Sequence, residues 1–313
     1  MMTAEAQRAV LTTCLMAAFA DGGNSDSERE EIRRIAARLS DGAQVDVAAL
    51  YQDVLTARPD PASIATRLPA PEQRQLAYEM AVCVCNADGA TSLQERDFLA
   101  GLARAFGLDA GVAKAYVGTS DAVASVPLSA VALDGTLVAA VPANDADLDK
   151  MILNYAITNG ALELLPQSLA SMAIIPLQMR MVYRIGKAHG FELDRDHVKE
   201  LLAALGVGLT SQYVEQIGRR VLGGLLGSIG GGLLGGMGSV ATGAGFSFAT
   251  TYALGQVAKR YYAGGRTIDA AGLQQAFASM LSDAKQMQGK YTAQIAEHAR
   301  TLDVNKLLAA VRS

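Results

Sequence analysis

Laid over itself at an offset of 67 residues, the chain repeats one turn. Ala20-Asp21-Gly22-Gly23-Asn24-Ser25-Asp26-Ser27-Glu28-Arg29-Glu30 falls on Ala87-Asp88-Gly89-Ala90-Thr91-Ser92-Leu93-Gln94-Glu95-Arg96-Asp97. The flanks agree too, with Leu15 over Val82 before the turn and Ile32 over Leu99 after it. A repeat at one fixed interval marks two copies of one supersecondary unit. Residues 5–20 and 72–87 are apolar at helical spacing, and Gly22 and Gly89 stand where a helix end needs a C′ residue with positive φ. Ser25 and Ser92 then cap a second helix, and Glu28 and Glu95 three residues on complete capping boxes. The spacing predicts an all-α fold, with residues 1–117 a helical bundle built from a duplicated helix–turn–helix.

Capping accounts for the Gly, Ser and Glu of each copy. It does not account for Asp21 and Asp88, which open both turns, or for Asp26, Glu30, Glu31 and Asp97. Two readings follow: the acids serve the caps alone, or they also form a site. In the second, Asp21, Glu28, Asp88 and Glu95 share one face and offer hard oxygen donors to Ca²⁺, another hard divalent cation, or a basic partner. The turns are not EF-hand loops, which need Gly at the sixth position and Glu at the twelfth. Over about residues 5–117, on the strength of the doubled Ala-Asp-Gly…Ser…Glu block, the sequence resembles the tellurite-resistance TerB family. That resemblance implies a compact helical bundle whose acidic residues engage metal ions or partners in stress responses, with no defined reaction.

Half of the residues are hydrophobic, 19% are charged and 5% are aromatic, which suits close helix packing and excludes a disordered chain. Residues 1–117 carry 16 acidic and 11 basic side chains, residues 151–313 carry 10 and 15. An acidic front and a basic back suit separate roles. The basic residues are dispersed and few aromatics interleave with them, which argues against nucleic acid. Cys14, Cys83 and Cys85 form no CxxC pair and read as small, reduced core residues. His189, His197 and His298 stand at no catalytic spacing, and no nucleophile–base pair or P-loop occurs, so the chain reads as a binding protein and not an enzyme. Residues 1–10 hold Glu5 and Arg8 and no apolar signal core, which points to the cytoplasm.

Residues 118–150 read as an interdomain linker broken by Pro127 and Pro142, with Asp134-Gly135 between short apolar runs as a small hairpin. Residues 151–313 form the second helical domain. Met151–Leu165 and Ser168–Ile175 read as helices punctuated by Pro166 and Pro176. A helix from Gln178 to Gly190 follows, with Arg180, Arg184 and Lys187 as one basic stripe, either solvated or meeting lipid headgroups or an acidic partner. Asp194 caps a helix to Leu205, and 267–288 and 291–312 close the chain as amphipathic helices.

Residues 221–258 carry no charge, with Arg219-Arg220 before them and Lys259-Arg260 after. Gly223, Gly227, Gly231 and Gly235 recur every fourth residue, a ridge for close helix approach that also suits a homo-oligomer. A span needs about 20 apolar residues, so this length fits a two-helix membrane hairpin with both basic ends on the cytoplasmic side. A buried, glycine-packed soluble pair gives the same pattern. Over residues 150–285 the sequence is similar to the YcjF-type domain that accompanies Era-like GTPases, carried by Ile175-Pro-Leu-Gln-Met-Arg-Met-Val182, Gly190 with Asp194 and Lys199, and Thr250-Thr-Tyr-Ala-Leu-Gly255. The resemblance implies association with the inner membrane and a GTPase partner. The expectation is a non-enzymatic adaptor or sensor held at the cytoplasmic face of the inner membrane. Its alternative is a cytoplasmic scaffold or regulator of a P-loop GTPase with the glycine-rich segment buried.

Overall fold

The computed structural model describes residues 2–22, 30, 32–33, 36–37, 45–87, 91–124, 144–165, 168–205, 214–215, 217–218, 221–222 and 237–302, and for 168–172 and 237–245 the helical backbone alone. The chain is all-α, with no strand among the described residues. It forms two compact units, one of residues 1–125 with 208–235, the other of 126–207 with 236–313.

In the first unit the described helices are α1 (Ala4–Ala18), α2 (Val47–Ala57), α3 (Pro61–Ala65), α4 (Pro71–Cys85), α5 (Leu93–Ala105) and α6 (Ala110–Ala124). Helices α1 and α4 begin and end 67 residues apart, the interval of the sequence repeat. They pack side by side and are buried on nearly every face from their middles to their C-termini. Local chemistry sets the starts: Thr3 Oγ1 accepts from Ala6 N–H, Asp46 caps α2, and Asp60 with Pro61 opens α3. Gly22 does adopt positive φ, at 68°. It lies three residues beyond the C-cap Phe19, however, and closes a turn by donating to Phe19 O, so it is not the C′ residue that the sequence suggested.

The second unit holds α7 (Asp145–Leu164), α8 (Ser168–Ala188), α9 (Arg195–Ala204), α10 (Met237–Ala263) and α11 (Ala270–Thr301). Helix α10 packs against α7, α8 and α11, which in turn touch one another pairwise in α7 with α8 and α7 with α11. Its buried residues, from Ser247, Phe248 and Ala249 through Thr251, Ala253, Leu254, Val257 and Ala258 to Tyr262, cover almost its whole circumference. A helix apolar on all sides is what the centre of a bundle requires. A Cβ added at Gly255 would stand 2.6 Å from Ile152 Cγ2 and 3.1 Å from Met181 Sδ, so the bare glycine lets α10 close onto α7 and α8. The glycine ridge 223–235 lies outside the described residues.

The helices depart from the sequence expectations at three places. Helix α8 runs without a break through Pro176. Proline removes one backbone bond at a cost of about 3 kcal/mol, but Ile174, Ile175, Leu177, Met179, Met181 and Val182 around it are all buried and offset that loss. The chain from 270 to 301 is one helix, because the exposed Gly289 weakens a helix by only about 1 kcal/mol and neither proline nor a cap interrupts it. The stretch read as a linker also begins inside α6 and ends inside α7, whose N-cap is Asn144. The hairpin at Asp134-Gly135 lies outside the described residues. Gly190 behaves as expected: at φ 81° it ends α8 while its N–H donates to Lys187 O and that of Phe191 to Gly186 O, the paired bonds of a Schellman ending.

Candidate functional site

The second unit carries a buried polar seam where an apolar core was expected. Tyr155, Asn159 and Glu163 recur every fourth residue along α7, and Ser247, Thr251 and Gly255 do the same along α10. Thr251 Oγ1 accepts from Asn159 Nδ2 and from Gln178 Nε2 of α8, each at 3.0 Å. Ser247 N–H donates to Glu163 Oε2 at 3.0 Å. The Tyr155 hydroxyl, Asn159 Oδ1, Gln178 Oε1 and Arg180 Nη1 are buried without a hydrogen-bond partner.

The basic residues of this unit separate by environment. Lys187 pairs with Glu192 at 2.6 Å, while Arg180 is 2% exposed, so the stripe is not one solvated face. Lys259, expected as a flank of the apolar hairpin, donates to Asp149 Oδ1 at 2.9 Å, and Gln256 reaches the same oxygen at 3.0 Å. Arg260 beside it is exposed, and Arg219 and Arg220 lie outside the described residues.

In the first unit the C-terminal ends of α1 and α4 lie together. Cys85 closes α4 with Sγ 3.9 Å from Ala17 O on α1. Burial pushes its thiol well up, and the charges of Glu95 and Asp21 push it further. Two of the four carboxylates expected to share a face therefore act on one buried thiol. Glu28 and Asp88 lie outside the described residues. Glu95 is itself held by the cap: Ser92 N–H donates to Glu95 Oε2 at 2.7 Å and Glu95 N–H to Ser92 Oγ at 3.2 Å. Among the described residues no group of three His, Cys, Asp or Glu side chains is placed to hold a metal ion. All three cysteines are free and buried.

Asp121 is the functional-looking group that the sequence left unmarked. Its Oδ1 accepts from Asn86 Nδ2 at 2.6 Å and from the Thr91 hydroxyl at 2.5 Å, and Arg96 stands 3.5 Å from its other oxygen. Helix α6 thus holds both ends of the second acidic turn. The signal is hidden because Asp121 lies in residues that read as linker, while Asn86 just before the repeated block and Thr91 within it do not match their counterparts, Phe19 and Asn24.

Residues 2–116 match the family model of a protein of unknown function, DUF533. The match covers both copies of the turn and stops inside α6, short of Asp121. No curated protein and no solved structure matches the chain. The DUF533 region thus contains the whole cap of α5 but only part of the latch that secures its turn.

Proposed function

We propose that the chain is a non-enzymatic adaptor: its first unit offers an acidic turn to a cation or basic partner, and its second is a scaffold with the glycine-containing helix buried. The TerB-like resemblance and the DUF533 match fall on the same stretch, which supports treating residues 2–116 as a binding module. The observation that carries the second half is the packing of α10. Residues 246–258 belong to the segment expected to form a membrane hairpin, yet they lie against α7, α8 and α11 and are bonded to Asn159, Glu163 and Gln178. Among the described residues no helix is long and apolar enough to cross a membrane. On this reading the YcjF-type resemblance points to a partner, a P-loop GTPase of the Era-like kind, more than to insertion in a bilayer.

Fractionation of cells expressing the full chain tests the second half. The protein is expected in the high-speed supernatant without detergent; recovery only after detergent extraction would sink the buried-helix reading in favour of the hairpin. Calcium titration of the full chain by calorimetry tests the first. Carboxylate sites of this openness bind at about 10⁻⁴–10⁻³ M, and Asp21→Asn is expected to remove the heat while leaving the helical signal unchanged. No heat at about millimolar calcium would leave the acids with a capping role alone.

A further inference from the structure

The chain passes from the first unit to the second after Ser125, returns to the first for Gly208–Gly235 and ends in the second. Within that return the described residues from Val214 to Leu222 are helical. Val214, Ile217 and Val221 fall at i, i+3 and i+7, on one face of a helix, and are 2%, 0% and 1% exposed. So short a helix cannot bury a face on itself; the first unit, to which it belongs, covers it. Gln7 of α1 marks the place of attachment. Its Nε2 donates to Val221 O at 3.0 Å, across 214 positions of sequence. Ala6, Ala9 and Val10, beside it in the first turns of α1, are no more than 1% exposed. The family match ends at residue 116, so the helix that meets this end of α1 lies outside the matched region. The contact is also small for what it orders. Burying one Val or Ile offsets the ordering of about one or two residues, so three such side chains barely hold the stretch 214–222. Gly218 inside it weakens the helix further, and Gly223-Gly224 follow it. A contact of this size opens locally, without unfolding of the rest of its unit.

We propose that the face of α1 around Gln7 is a receptor for an amphipathic helix, and that residues 214–222 are its resident, displaceable occupant. A partner helix with aliphatic residues at the same i, i+3 and i+7 spacing takes the place when the resident leaves. The acidic turn follows the opposite end of α1, so the proposal neither needs nor alters the cation reading. The uncharged stretch 221–258 starts in the first unit and ends in the second. Release at Val221 therefore frees its start while Ser247 to Ala258 stay packed among α7, α8 and α11.

Hydrogen exchange of the intact chain gives the first test. The 214–222 amides are expected to exchange about tenfold or more faster than those of α4, through a local opening. Equal rates for the two would make the stretch a fixed part of the unit and overturn the proposal. Ile217→Asp in the full chain is then expected to speed exchange in the first two turns of α1 about tenfold, with α10 and α11 unchanged. A fluorescein-labelled peptide of residues 210–224 should bind that variant and restore the protection of α1. It should bind the wild type about tenfold more weakly, because the receptor there is occupied most of the time. The same peptide carrying Ile217→Asp should bind neither protein. If the aspartate variant does not fold, Ile217→Ala, which only thins the contact, replaces it with the same expected order of affinities. Unmodified peptide that binds both proteins equally, or neither, ends the proposal, as does an α1 whose exchange ignores the substitution.

Discussion

Phe248→Ala is expected to destabilise the second unit by about 4 kcal/mol. Phe248 is fully buried and sits in one cluster with Ala156, Ile157 and Ala161 of α7 and Ile295 of α11. Its ring lies 5.5 Å from that of Tyr291 and 6.2 Å from that of Tyr252, in near-parallel stacks. Truncation removes the ring's transfer free energy, both stacks and the packing of three helices at once. The buried members of the cluster on the α7 side are two alanines and one isoleucine, too short to fill the space left, and Leu153 and Leu164 pack against it from partly exposed positions. Hydrogen exchange of the α7 and α10 amides gives the readout, since the loss falls on the opening of that unit and not on the first. A loss below about 1 kcal/mol would mean that α10 does not spend its time in this cluster, and the adaptor reading would lose its main support.

Thr251→Val comes second, at about 3 kcal/mol. The substitution keeps the shape of the side chain and deletes one oxygen. That oxygen accepts from Asn159 Nδ2 and Gln178 Nε2, both on fully or almost fully buried residues. Each donor stripped of its acceptor costs about 1–3 kcal/mol, so the two together exceed the small gain from the added methyl. Thr251→Ser, which restores the oxygen, should recover most of the loss; a valine variant as stable as the serine one would show that the seam is dispensable. A double-mutant cycle with Gln178→Leu apportions the effect between the two amides.

How much of this was legible in the sequence depends on the range of the interaction. Asp194 as a cap, Gly190 as a stop and the Ser92–Glu95 box are settled by residues within one turn of each other, and the structure has them as expected. The extents of α1 and α4 were recovered to within two residues for the same reason. Pro176 misled because its penalty is local and what offsets it is tertiary. The two-helix reading of 267–312 failed on a glycine that is exposed and too weak a breaker alone. Composition made 221–258 ambiguous in principle: a helix apolar on every side suits a bilayer and a bundle centre equally. Only the partners of Ser247, Thr251 and Lys259, on helices 73 to 110 residues away in sequence, distinguish the two. Of the candidate site, Asp21 and Glu95 could be read from the repeat, whereas Asp121 and the isolation of Arg180 depend on which helices become neighbours.

The long helix α11 has one further consequence. Its fully buried residues are Leu273, Ala284 and Ile295, eleven apart. Eleven residues complete three turns with a drift of only about 20°, so the anchoring line runs close to the axis and favours a shallow right-handed winding over the left-handed one of a heptad seam. At about 1.5 Å per residue it is a rod roughly 48 Å long. A force or a partner acting at Thr301 is therefore transmitted along that rod to the Gly264–Asp269 corner, where the chain doubles back into α10.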